Sequence, residues 1–486
     1  MTVDDILRLL PLIILGGGAV IAMLGIAARR SHSVTFALTL GTLLLSLVSL
    51  RFPMRAGGGA VTSLILFDGY AIFFMVLLFL AALAVAVMSY GYLRGRGVVR
   101  EELYVLLLIA ILGCAFLVSS THFASFFLGL EVLSVSLYAL AAYHRAHPTD
   151  IEAGIKYLIP AATSSAFLLF GMALVYSRTG TMELSELSRL ITTGQRSPLL
   201  ASVGMGMILV GLGFKLALAP FHFWAADVYE GAPAPVTALI ATASKGAVFA
   251  VLLRYFDMPQ MQTREPFLLI FTVAAIVTMF LGNYLALLQD NLKRLLAYSS
   301  IAHMGYLLVA FLAGGRQAVT AVTFYLVAYF ITTLGAFGVI TALSGKEKDL
   351  SHLNDYRGLF FRHPALASVL AVMMFSLAGI PLTAGFLAKF YVLFAGIGAD
   401  LWLLVLVLIV NSVVALFYYL RVIVAIYQPL TAAQEETAAL RSYEPAPSGS
   451  FLGSLVLAVL TAALIWIGIY PGPVFRWIDA LTGNLV

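Results

Sequence analysis

Apolar runs long enough to cross a bilayer follow one another almost end to end along the sequence, separated by short polar stretches such as Arg29-Arg30, Arg94 to Glu102, His144 to Glu152 and Lys346 to Arg362. A helix needs about 20 apolar residues to cross a hydrocarbon core of about 30 Å. On that scale the pattern predicts fourteen spans, near 9–28, 33–50, 69–92, 103–119, 123–143, 156–177, 199–221, 235–256, 267–287, 291–312, 317–343, 364–395, 401–427 and 451–470. The expected fold class is therefore all-α and integral to the membrane. Met182–Ile191 is too short and too charged to span, and reads as an amphipathic helix lying along the interface.

Two spans carry an interruption. One reads Gly213-Phe214-Lys215-Leu216-Ala217-Leu218-Ala219-Pro220-Phe221-His222, the other Gly379-Ile380-Pro381-Leu382-Thr383-Ala384-Gly385-Phe386-Leu387-Ala388-Lys389. Proline removes a backbone donor and clashes with the preceding turn, so both helices are expected to break there. Backbone groups freed inside a membrane must find protein or cavity water. A pair of broken helices at matching places in two halves is the mark of a transporter built from inverted repeats, here spans 4–8 and 9–13. An ordinary proline kink is the alternative; a lysine beside each break favours the transporter.

Composition narrows the class further. The chain has 486 residues, 62% hydrophobic and 10% charged, against about 25% charged in a typical globular domain, and no polar segment is long enough to form a soluble domain. Its net charge of +5 comes from basic residues in short connections, where topology explains them better than nucleic acid does. Those residues favour the loops after odd-numbered spans, so both termini are expected on the non-cytoplasmic face. Asp4 and Asp5 stand where a signal peptide would be positive, so no cleaved leader is expected. Cys114 is the single cysteine, which excludes an intrachain disulfide and a Cys-ligated cluster or zinc site. Nucleotide-binding, zinc-protease and haem-attachment motifs are absent.

The charges within spans carry the chemistry. Glu131 is the one acidic residue in mid-span, and Lys215, Lys245, Lys389 and Arg421 lie inside spans. Arg421 is near enough to a helix end to reach the interface. A charge at the bilayer centre costs at least ~2.5–3.5 kcal/mol, so such groups are paired, hydrated or neutralised. Glu131 and Lys215 are the natural partners, and Lys245 and Lys389 continue the line. A lysine held between desolvation and a neighbouring charge can gain or lose a proton, as a relay requires; a lone ion pair used only for folding is the alternative. His222 and His303 are candidate links because imidazole titrates near neutral pH, although a buried histidine can also be merely hydrogen-bonded. Lys156, Lys293 and Arg294 read as topology signals at span ends, and Asp227 and Glu230 as solvated loop residues. Gly204, Gly206, Gly211 and Gly213 point to close helix packing.

At these residues the chain resembles a known family. Gly213–Lys245 (GFKLALAPFHFWAADVYEGAPAPVTALIATASK), Asp290–Tyr306 (DNLKRLLAYSSIAHMGY) and Gly379–Val392 (GIPLTAGFLAKFYV) are similar to the antiporter-like subunits of respiratory complex I, which are related to Mrp-type cation/proton antiporter subunits. The likeness runs from about span 3 to span 13. Phe67–Ala71 (FDGYA) and Leu128–Leu137 (LGLEVLSVSL) bring it nearest to the N-type subunits. An L-type subunit carries a long lateral helix that this chain is expected to lack, and an M-type subunit has a glutamate at the position of Lys389.

The resemblance implies helices 1–3 over 1–102, two inverted five-helix repeats over 103–256 and 267–427, and helix 14 with its tail over 451–486. It implies that Glu131 pairs with the pumping lysine Lys215, that Lys245 connects, and that Lys389 serves the exit side. It also implies a bacterial inner-membrane location and a proton-translocating role within NADH:quinone oxidoreductase. NADH, FMN, iron–sulfur clusters and quinone would then reside on partner subunits, with no cofactor on this chain. An Mrp-type cation/proton antiporter subunit is the alternative.

Overall fold

The computed structural model describes residues 2–55, 57–96, 101–144, 148–185, 199–255, 265–345, 349–429 and 451–482. Among them thirteen helices are long and apolar enough to cross a membrane. In chain order the helices that matter here are α1 (Val3–Ala28), α2 (His32–Ser49), α3 (Gly69–Gly95), α4 (Glu102–Ser119), α5 (Phe123–Ala141), α6 (Pro148–Thr179), α7 (Leu199–Leu216) and α8 (Phe223–Gly231). They continue with α9 (Ala234–Tyr255), α10 (Glu265–Leu287), α11 (Leu292–Ala313), α12 (Gly315–Leu343), α13 (Pro364–Ala378), α14 (Ala384–Gly398), α15 (Trp402–Tyr427), α16 (Phe451–Ile469) and α17 (Gly472–Thr482). The twelfth expected span, 364–395, is the pair of shorter helices α13 and α14. A small antiparallel hairpin, Gly59–Thr62 with Ile65–Phe67, lies between α2 and α3. Most of Met182–Ile191 falls outside the described residues.

Local chemistry explains where the boundaries depart from the apolar pattern. α1 begins six residues before the expected start because Thr2 and Asp5 form a capping box, Thr2 N donating to Asp5 Oδ2 at 2.8 Å and Asp5 N to Thr2 Oγ1 at 3.3 Å; this satisfies orphan donors of the first turn. Small residues set the closest packing. A Cβ on Gly204 would lie 2.7 Å from the carbonyl oxygen of Gly171, and one on Gly211 2.6 Å from the Leu168 side chain, so α6 and α7 touch backbone to backbone. Gly206 faces open space, so it takes no part in that packing.

Both expected breaks are present. α7 ends at Leu216, Ala217 takes φ 55°, the Ala219–Pro220 peptide is cis, and α8 begins at Phe223. Trp224 Nε1 donates to Phe214 O at 3.0 Å and Ala219 N to Thr278 Oγ1 at 3.0 Å, so side chains satisfy backbone groups freed by the break. α13 closes on Gly379 at φ 85°, a left-handed C-terminal position that glycine adopts without strain. Across this second gap Gly385 N donates to Ser376 Oγ at 3.2 Å. A Cβ on Gly385 would stand 1.9 Å from Ser376 O, so only glycine fits there.

The two ends of the bundle separate by loop parity. Segments after odd-numbered spans (Tyr92–Arg96, Thr149–Lys156, Asp227–Pro233, Lys293–Arg294, Asp349–Asp355) line one cleft of about 680 Å³. Segments after even-numbered spans meet at the other end: Thr121 N donates to Leu64 O at 3.0 Å, Leu184 N to Thr121 O at 2.9 Å, and Arg254 pairs with Asp68 at 2.5 Å.

Candidate functional site

Lys215, Lys245 and Lys389 are each buried in the interior, at 3, 1 and 6% exposure, and none of the three has an ion-pair partner among the described residues. Lys215 stands in the last turn of α7, directly before the break. Its Nζ donates to Ser134 Oγ at 2.5 Å and lies 3.4 Å from Tyr138 OH, both on α5. Glu131 is on that same helix, one turn before Ser134. Residues three apart on a helix are neighbours, so Ser134 lies beside Glu131 on α5. The expected Glu131–Lys215 contact is thus corrected: Glu131 instead accepts a 2.5 Å hydrogen bond from Ser165 Oγ on α6, and acts on Lys215 through space.

Lys245 follows a single π-helical stretch, Ile240–Ser244, inside α9. π-bulges recur at functional sites, and nothing in the residue pattern of α9 announced this one. Lys245 Nζ donates to Ser300 Oγ on α11 at 2.6 Å and lies 5.5 Å from the ring centre of Tyr229. Ser300 Oγ is in turn 2.6 Å from Tyr329 OH. Lys389, in α14, turns back across the second break and donates to Ala378 O at 3.0 Å, with the Tyr306 ring centre at 5.3 Å. Ala378 ends α13, so the break itself supplies the acceptor: a carbonyl at the negative end of a helix dipole.

His303 sits between Lys245 and Lys389. Its Nδ1 is 2.5 Å from Tyr325 OH and its Nε2 3.1 Å from Tyr419 OH, which also contacts Ser299 Oγ. A cavity of about 10 Å³ is lined by His303, Tyr325, Tyr329, Thr332 and Ser376, near the lower bound for one water. Thr332 and Ser376 hydroxyls are 3.0 Å apart and carry the polar lining toward α13. His222 lies elsewhere, in the first break, buried and stacked on Phe223 at 4.5 Å, with no hydrogen-bond partner for its Nδ1 among the described residues. The structure brings His303 to the lysines and leaves His222 apart.

Two sets of residues read as bland in the sequence are organised around the cleft. Lys293, 1% exposed, binds Asp349 at 2.9 Å and Ala232 O at 2.6 Å. Asp227 is on α8, not in a solvated loop, and bridges Lys156 at 2.8 Å and Arg294 at 2.7 Å. Arg294 also holds Glu230 at 2.8 Å. Burial raises the Asp227 carboxyl, but hydrogen bonds from Lys156 and Arg294 outweigh it and hold the group below the usual carboxylate range. Asp349 accepts from Arg96 at 2.6 Å, Tyr92 OH at 2.9 Å, Lys293 at 2.9 Å and Ala234 N at 3.1 Å.

Ammonium, hydroxyl and imidazole groups thus occupy the interior within hydrogen-bonding reach of one another along parts of the line, an arrangement able to hand protons on. The serines and tyrosines that complete it were missed by a search for charges. Their one sequence signal is spacing: Ser134 and Tyr138 follow Glu131 by three and seven residues, and Ser300 precedes His303 by three.

A family model described as NADH:quinone oxidoreductase/Mrp antiporter, transmembrane, matches residues 120–415. NADH-quinone oxidoreductase subunit N of Ectopseudomonas mendocina is 46% identical over 482 residues, covering 98% of this chain and 96% of that protein. The subunit N of Chromohalobacter salexigens is 47% identical over 477 residues, covering 98% of each. Among solved structures, a chain of respiratory complex I from Thermus thermophilus is 33% identical with TM-score 0.79, covering 96% of this chain and 98% of that one. A chain of the Mrp complex from Dietzia sp. DQ12-45-1b aligns at TM-score 0.84 over 100% of this chain and 98% of that one; at 20% identity it is a likeness of fold alone.

Proposed function

Because this chain belongs to the NADH-quinone oxidoreductase subunit N family, we propose that it translocates protons through the buried line Glu131, Lys215, Lys245 and Lys389. The chain is a multi-pass membrane subunit of a bacterial NADH:quinone oxidoreductase, and its partners are the other subunits of that complex. NADH oxidation, FMN, iron–sulfur clusters and quinone belong to those partners in this reading. The observation that carries it is the burial of three lysines against hydroxyl and carbonyl acceptors with no carboxylate in contact. An ammonium so placed is stabilised enough to exist, yet is not locked by a counter-ion. A change in the field from a neighbouring subunit can then tip it toward release.

The helices around Lys215 and Lys389 are read as the two inverted five-helix repeats, 103–256 and 267–427, each broken beside its lysine. Glu131 biases the charge state of Lys215 through space. Lys245 passes the proton by way of Ser300, Tyr329 and His303 toward Lys389. The cleft beneath the odd-numbered loops faces the cytoplasm, and both termini face away from it. His222, in the first break, is read as lying outside this line. The Mrp-type reading shares the fold, but the near half-identity to subunit N over the whole chain favours the complex I assignment.

The test is Lys215→Ala in the assembled complex, in membrane vesicles. Quinone reductase content should persist while NADH-driven proton uptake falls. Normal uptake, or uptake that depends on Na⁺ with no flavin or iron–sulfur partner co-purifying, overturns the reading.

A further inference from the structure

The helix that carries Lys245 has an unusual start. Its N-cap is Pro233, whose side chain offers no acceptor, and only six α-helical residues, Ala234–Leu239, precede the π stretch Ile240–Ser244. So short a helical piece does not hold itself together, and an interior π turn gives it no firm continuation. The missing acceptor arrives from 115 residues away: Asp349 Oδ2 accepts from Ala234 N at 3.1 Å. It places a carboxylate at the positive end of the helix, where a negative charge is favoured.

The same carboxylate also holds the other half of the Lys245 contact. Lys293, in the first turn of α11, donates to Asp349 at 2.9 Å. Ser300, the acceptor of Lys245, lies seven residues further along α11, about 10 Å on and on the same face. Arg96 and Tyr92 on α3 complete the set at 2.6 and 2.9 Å. One largely buried carboxylate, 10% exposed, therefore ties together the starts of the two helices whose side chains meet at 2.6 Å deeper in the bundle, and fixes both to a third helix that bears no relay lysine.

We propose that Asp349 is a positioning residue for the proton path: it clasps the starts of α9 and α11 to α3 and so sets the register of Lys245 against Ser300. This rests on the relay reading of Lys245 given above. Lys245 lies eleven residues below the clasp, about 16 Å along the helix, so Asp349 acts through the helix and touches no transferred proton. Its place on the wall of the 680 Å³ cleft means that loosening the clasp also moves the mouth of the path.

The experiment compares Asp349→Asn, Asp349→Glu and the double variant Asp349→Asn/Lys293→Met with Lys215→Ala, all in the assembled complex in vesicles, by protons taken up per NADH and by amide exchange at Ala234–Lys245. Asp349→Asn is expected to lower the rate of NADH-driven proton uptake about tenfold or more, and with it the protons taken up per NADH, since misplacing a reacting group by 1 Å costs on the order of 10²-fold in rate, with loss of exchange protection confined to that segment. Asp349→Glu restores part of the count. The double variant removes the orphaned Lys293 ammonium and restores the parent's local charge balance, leaves Arg96 on Gly345 O at 3.2 Å, assembles like the parent, and still pumps poorly. If the double variant pumps normally, the defect in Asp349→Asn is only that of an unpaired buried charge, and the clasp is overturned. Normal pumping in both Asp349 variants beside a defective Lys215→Ala overturns the clasp alone; normal pumping in all, Lys215→Ala included, overturns the relay reading with it.

Discussion

Lys245 Nζ donates to Ser300 Oγ across 2.6 Å although the two residues are 55 positions apart, and Ser300 is 2.6 Å from Tyr329 OH. A lysine buried at 1% exposure thus has a hydroxyl, not a carboxylate, as its partner, and that hydroxyl leads on toward His303.

Ser300→Ala removes this acceptor. A hydrogen bond to a charged group contributes about 1.5–3 kcal/mol, and each 1.36 kcal/mol is roughly tenfold in rate. The rate of NADH-driven proton uptake in vesicles is expected to fall by about tenfold to a hundredfold, with Ser300→Thr retaining most of it. Equal uptake by Ser300→Ala and the parent complex shows that the contact is not used.

The α6–α7 contact predicts a sharp difference between two nearby glycines. Gly204→Val drives side-chain atoms into the Gly171 carbonyl, 2.7 Å from the position of a Cβ, whereas Gly206 has nothing within 4 Å. Overpacking costs about 1–3 kcal/mol, so Gly204→Val lowers the thermal midpoint of the purified complex and Gly206→Ala leaves it within error. Similar midpoints for both variants contradict this packing.

Asp68 has two tasks at the even-loop end. Its Oδ1 caps α3 by accepting from Ala71 N at 2.8 Å, and it pairs with Arg254, which is 4% exposed. Removing Asp68, itself 31% exposed, leaves the buried Arg254 short of a partner at a cost of about 1–3 kcal/mol, so Asp68→Ala is expected to reduce the amount of assembled complex. Asp68→Ala/Arg254→Met recovers much of that loss. Quantitative immunoblots of native gels read both outcomes.

The charged cleft has a predictable pH response. Burial raises the Asp349 carboxyl, but Lys293 and Arg96 outweigh it and hold the group well below the usual carboxylate range. A depressed folded-state value contributes stability that is present above the unfolded value of about 3.9 and lost as pH falls toward the folded one. The difference in thermal midpoint between the parent complex and Asp349→Asn is therefore constant from about pH 5 to pH 8 and shrinks only below about pH 4. A difference that fades near neutrality contradicts a carboxylate held this low.

Much of this was legible in the sequence because apolar length and proline are loud signals in a membrane. The spans, both breaks and the three buried lysines follow from them. Partners are quieter. Glu131 and Lys215 looked like a pair because opposite charges in hydrocarbon need one another, yet a serine one turn away satisfies the lysine at lower desolvation cost. Asp349 was invisible for a different reason: it follows a charged loop and looks solvated, and only the folding of α3, α9 and α11 around it makes it a buried anchor. The π turn before Lys245 left no trace in the residue pattern.

The central claim is that protons cross this chain by way of its buried lysines. It is tested most directly by counting protons taken up per NADH oxidised in vesicles carrying the Lys245→Met complex, in which an apolar side chain of similar length preserves the packing. The account predicts an assembled complex that still reduces quinone when uncoupled but takes up fewer protons per NADH than the parent. An unchanged proton count in that complex contradicts it.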